Sequence, residues 1–119
     1  DERQEHPAIK LKPVKAAAIA RWIDKVPGMQ PLVQGLSRWE LEELAKSTES
    51  FLTDLSFFEW DDSLGVLAKV VDLKRAVFSS LTPFHVTQAH INKITASPSA
   101  SLSRRKAVAA GNALRWLKS

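Results

Sequence analysis

Three histidines (His6, His85 and His90), two adjacent carboxylates (Asp61 and Asp62) and a run of C-terminal Lys and Arg are the groups whose chemistry is weighed first. His85 and His90 lie five apart. Metal-binding pairs on one helical face sit at i+3 or i+4, so this spacing sends the two imidazoles to different faces. The chain has no Cys, and no carboxylate stands close by in that segment, so no metal site is expected. The histidines read as ordinary, partly exposed side chains. Asp61 and Asp62 are neighbours in sequence, so their side chains diverge. Capping a helix start explains them better than acid–base catalysis. The four glycines are scattered at 28, 35, 65 and 111, which leaves no phosphate-cradling loop. No nucleophile elbow is present. The residues therefore predict a non-enzymatic protein with no cofactor and no small-molecule substrate.

What remains is charge. The formal net charge is only +4, but it is unevenly spread. Residues 37–72 carry three Lys/Arg and nine Asp/Glu, whereas residues 73–119 carry eight Lys/Arg and no acidic residue. A purely basic segment attracts phosphate or carboxylate partners; the alternative is that it neutralises the acidic segment within the fold. Arg104, Arg105 and Lys106 fall in the expected first turn of a helix, the wrong end for the helix dipole, at about 0.3–1 kcal/mol each when exposed. An arrangement that costs stability hints at a use. Lys74, Arg75, Lys93, Arg115 and Lys118 extend the same basic set.

These groups need elements to hold them. The length of 119 residues suits one domain with one core. Residues 1–12 read as a charged, flexible tail, and residues 13–119 as a single helical domain. The acidic, Met-less start predicts a fragment of a larger protein and no signal peptide. No apolar run reaches the roughly 18 residues of a membrane span. Absence of Cys fits an intracellular chain. A first helix opens near Pro13, with Ile19, Trp22, Ile23 and Val26 as its stripe, and stops at Pro27-Gly28. Met29 to Leu36 reads as a connector. Ser37-Arg-Trp-Glu40 is a capping box, and the helix behind it carries Leu41, Leu44, Ala45, Thr48, Leu52 and Leu55 on one stripe. After the aromatic group Phe57-Phe58-Glu-Trp60, a helix apolar nearly all round is expected from Ser63 to Ser79. Thr82-Pro83 starts a fourth helix, with Phe84, Thr87, Ile91 and Ile94 inward. A Ser/Pro loop at 97–101 leads to a fifth, in which Gly111 marks a close helix–helix contact. The expected fold is all-α, a single five-helix bundle-like domain without internal repeats.

The last 50 or so residues resemble a known family. An apolar helix (Leu64–Phe78) is followed by a Thr-initiated helix with Ile91 and Ile94, and by a basic helix ending Ala113-Leu-Arg-Trp-Leu-Lys118. This order is similar to the N-terminal domain of transcription elongation factor S-II, and more so to the integrase-binding domain of lens epithelium-derived growth factor. The Ile-Gly-Lys motif of the elongation-factor members is replaced by Ile91-Asn-Lys, and residues 13–55 have no counterpart. The resemblance implies a nuclear, chromatin- or transcription-associated scaffold that docks disordered segments with acidic residues around a bulky apolar anchor.

The functional expectation is a protein–protein interaction domain with an acidic-hydrophobic partner segment. Lys93, Arg104, Arg105, Lys106 and Arg115 supply charge, and Phe84, Trp116 and Leu117 supply apolar contact. The alternative is a nucleic-acid-binding domain in which the last helix uses the same cations, with Asn112 and Arg115 facing base edges. In a peptide-docking surface, Arg105→Glu is expected to abolish binding and spare the helices.

Overall fold

The computed structural model describes residues 14–56, 58, 60–80 and 86–119. The expected tail, the helix start at Pro13, the Thr82-Pro83 start, and His6, Phe57, Phe84 and His85 lie outside the described residues.

The fold is mixed α/β, which corrects the all-α, five-helix bundle. Helices α1 (Ala16–Asp24), α2 (Arg38–Ser47), α3 (Ser63–Ala68) and α4 (Thr87–Thr95) accompany strands β1 (Leu32–Val33), β2 (Leu52–Asp54) and β3 (Ala76–Val77). The strands form one parallel sheet in the order β1-β2-β3. Leu32 pairs with Leu52 and Thr53 with Ala76, so successive partners lie 20 and 23 residues further on. β1 and β2 are each followed by a helix and then by the next strand of the sheet.

The capping box at Ser37 forms as expected. The Ser37 hydroxyl accepts from Glu40 N–H, and the Glu40 carboxylate accepts from Ser37 N–H at 2.9 Å. The helix then ends at Ser47, because Thr48 turns extended and its Oγ1 accepts from Ser50 N–H at 3.2 Å. Leu52 and Leu55, expected on the α2 stripe, instead belong to β2 and the turn after it. The expected helix from Ser63 to Ser79 is likewise shorter. Asp62 caps α3 by accepting from Gly65 N–H at 3.3 Å. Asp72 starts a 3₁₀ turn at Leu73–Arg75, accepting from Lys74 N–H at 2.9 Å. Ala76 and Val77 then enter the sheet. A run apolar on all sides suits a strand buried on both faces as well as a central helix.

Residues 102–116 form one continuous terminal helix in three parts, α5 (Leu102–Lys106), a π-turn (Ala107–Gly111) and α6 (Asn112–Trp116). It runs antiparallel to β3 and closes that sheet edge. Phe78 N–H donates to the Val108 carbonyl at 2.9 Å. The Asn112 amide donates to the carbonyls of Leu73 at 2.7 Å and Ala76 at 2.6 Å. An edge strand exposes a row of unpaired backbone groups; here a helix carbonyl and an Asn side chain stand in for the missing strand. One core joins all these layers, built on Ile23, Leu41, Leu44, Phe51, Leu55, Phe58, Leu64, Leu67 and Val108.

The inward faces of α1 and α4 are rotated from the expected stripes. Ala16, Ala20 and Ile23 are buried on α1 while Trp22 and Val26 are exposed, and His90, Lys93 and Ile94 are buried on α4 while Ile91 is exposed. The His90 imidazole is thus a core group and not a partly exposed one. Gly111 makes no close helix contact either. It is exposed with helical backbone angles, and an added Cβ would meet only the Lys106 carbonyl oxygen, at 3.8 Å. Gly111→Ala is therefore expected to stabilise the fold by about 0.4–1 kcal/mol through the unfolded chain. A higher urea midpoint at unchanged slope checks this; a lower one would mean that the π-turn requires glycine.

Candidate functional site

The terminal helix divides the expected basic face in two. Arg104 and Arg115 are eleven positions apart, which is roughly 16 Å along a helix axis. At the N-terminal end, Arg104 and Lys106 are exposed, but Arg105 is a clamp. Its Nε donates to the Ala100 carbonyl at 3.0 Å, and its two terminal nitrogens donate to Thr95 at 3.0 Å and Ser97 at 2.7 Å. The planar fork ties the end of α4 to the turn before α5. An Arg105→Glu change would therefore disturb that turn as well as any surface. Ser97 reinforces the turn: its hydroxyl donates to the Lys93 carbonyl at 2.7 Å and accepts from Leu64 N–H at 2.9 Å. Bonds from Ser99 hold the Asp62 carboxyl below its ordinary pKa, against the opposing effect of desolvation, with Gly65 N–H, Ser99 N–H and Ser97 assisting.

Lys93 does not join the surface. It is 7% exposed, and its ammonium donates to the carbonyls of Leu55 at 3.1 Å and Ser56 at 2.8 Å. Those carbonyls lie at the carboxyl end of β2. Ser56 also donates, through its N–H and hydroxyl, to the buried Asp54 carboxylate. Asp54, Ser56 and Lys93 thus form one linked polar cluster beneath the sheet's carboxyl edge.

At the other end of the terminal helix the expected residues Arg115 and Trp116 do come together, with partners from a second element. A groove at the N-terminal edge of the sheet is lined by Gln30, Lys74, Arg75, Arg115, Trp116 and Ser119. Around Arg115 it continues onto Leu114 and Lys118. No Asp or Glu side chain lines either part. The Trp116 indole N–H donates to the Gln30 carbonyl at 2.8 Å. Arg115 donates to Asn112 Oδ1 at 2.6 Å and to the Lys74 carbonyl at 3.4 Å. Arg75 lies over the Phe51 ring at 4.2 Å and donates to the Phe51 carbonyl at 3.2 Å. One of its terminal nitrogens is buried without a hydrogen-bond acceptor. Burial pulls the Arg75 pKa below its ordinary value; Glu49 and Asp72, which line an adjoining hollow together with Lys74 and Arg75, oppose this. A guanidinium stays charged under such a shift.

Asn112, expected on a nucleic-acid-reading face, is 2% exposed and spends its amide on the sheet edge. It cannot contact bases. In the sequence Lys74 and Arg75 belong only to a diffuse basic set; their place beside Arg115 follows from the 3₁₀ turn and β3, which no local signal announces. Among the described residues no group of His, Asp and Glu has metal-binding geometry, and no helix is long and apolar enough to cross a membrane. No known protein family, curated protein or solved structure matches the chain.

Proposed function

We propose that the chain is a non-enzymatic interaction module that docks an acidic-hydrophobic protein segment on the C-terminal half of its terminal helix. The observation that carries this reading is the groove itself. Lys74, Arg75 and Arg115 line it beside Trp116, Lys118 and the exposed Leu114 adjoin it across Arg115, and no Asp or Glu side chain lines either part. Guanidinium groups favour carboxylates because their planar donors match both oxygens. An apolar shelf beside them suits a segment with a bulky anchor between acidic residues. A chromatin or transcription setting would fit such a partner and rests on the family resemblance.

The test is a titration with a synthetic peptide carrying Glu residues around one Phe, followed by tryptophan fluorescence. Lys118→Glu breaks no hydrogen bond among the described residues and is expected to weaken binding about tenfold, or roughly 1.4 kcal/mol. An unchanged affinity would remove this groove from consideration. A DNA duplex is the second ligand. If it binds more tightly than the peptide, with affinity falling steeply in salt, the nucleic-acid reading replaces this one.

A further inference from the structure

The groove calls for a partner with a large apolar side chain flanked by carboxylates, and this chain displays such a group on α2. Trp39 is 66% exposed. Glu42 and Glu43 follow it at i+3 and i+4, the spacings that place side chains beside one another on a helix. Glu42 is held in position by Arg38 at 2.8 Å, and Glu43 is exposed with no ion-pair partner among the described residues. On the terminal helix, Leu114 and Leu117 are 56% and 74% exposed, with Arg115 and Lys118 beside them. One patch sets an indole beside two carboxylates, of which Glu42 is paired with Arg38; the other sets two leucines beside two cations.

The two patches cannot meet within one copy. α2 lies in the connection between β1 and β2, whereas the terminal helix covers the far edge of β3, on the other side of the sheet order. Within one copy, carboxylates of the acidic segment reach the basic segment at Arg75, through Glu49 and Asp72. Complementary patches at separate places on one molecule make a heterologous contact, which repeats from copy to copy unless it closes into a ring.

Building on the docking function proposed above, we infer that a second copy of this chain is a partner for the terminal helix, its Trp39, Glu42 and Glu43 seated on Leu114, Leu117, Arg115 and Lys118. Association is head to tail. It is weak for its size class, since one tryptophan anchor and a few rim charges bury a small area. It is also sensitive to salt, because those charges stay near solvent.

Sedimentation velocity of the full chain over a range of concentrations tests this. The weight-average sedimentation coefficient should rise with concentration at low salt, and about tenfold more protein should be needed for the same rise at high salt. Trp39→Ala and Leu117→Asp alter exposed side chains and should each sediment as a folded monomer. Mixed, they should associate again and stop at a dimer, because only one functional pairing remains. A wild-type chain that stays monomeric at every concentration overturns the inference, and so does a mixture that stays monomeric. Binding of the acidic peptide in the same preparation would show that the docking function stands while its partner is a different protein. Loss of both would remove the groove altogether.

Discussion

Asn112→Ala is expected to cost about 2–4 kcal/mol of stability, a large share of the roughly 5–15 kcal/mol that holds a domain together. Alanine keeps the helix but removes the donors of the Leu73 and Ala76 carbonyls, which stay buried against the terminal helix. A buried acceptor left without a partner costs about 1–3 kcal/mol, more than its bond contributed net. Asn112→Asp should be worse than alanine, since it turns a carboxylate oxygen toward two carbonyl oxygens. Urea denaturation of both variants checks the order. A loss under about half a kcal/mol for alanine would mean that the sheet edge is satisfied in another way. The same substitution should weaken peptide binding, because Arg115 loses its anchor on Asn112 Oδ1. The residue that closes the sheet edge is thus also the one that sets a groove cation in place.

That double role explains why the site was only half legible in the sequence. Arg115 and Trp116 stood out by type and by proximity in the chain. Lys74 and Arg75 joined them only through a 3₁₀ turn and a two-residue strand, too short for any period-two pattern. Helix signals that are local in origin were readable. The Ser37–Glu40 box and the Asp62 cap each need only neighbouring residues. The sheet was not, because strands of two or three residues gain their stability from partners 20 and 23 positions away. Leu52 and Leu55 extended the helical spacing of Leu41 and Leu44 by coincidence. The sign that could have separated them is the Ser47-Thr-Glu-Ser50 stretch, where short hydroxyl side chains compete for the backbone. The clustered β-branched residues Val66, Val70, Val71 and Val77 likewise argued against one long helix.

Lys93 makes the sharpest contrast between sequence and fold. A lysine in a segment without acidic residues reads as surface charge, yet α4 turns it toward the carboxyl end of β2. The side chain replaces water for two carbonyls, those of Leu55 and Ser56, at the point where the central strand leaves the sheet. Ser56 in turn holds the Asp54 carboxylate, which also accepts from Gly35 N–H at 3.2 Å as the chain leaves β1. Lys93 therefore links α4 to the turns after two strands. Lys93→Met keeps most of the volume and the helix propensity but leaves both carbonyls without this donor. The expected loss is about 2–4 kcal/mol, offset in part by the desolvation of a charge that no longer needs burying. Peptide affinity at the groove, which lies at the opposite edge of the sheet, should not change once the protein is folded. A surface role predicts the reverse, with stability unchanged and affinity reduced. Measuring the urea midpoint and the peptide titration on this one variant therefore separates a buried strut from a docking charge.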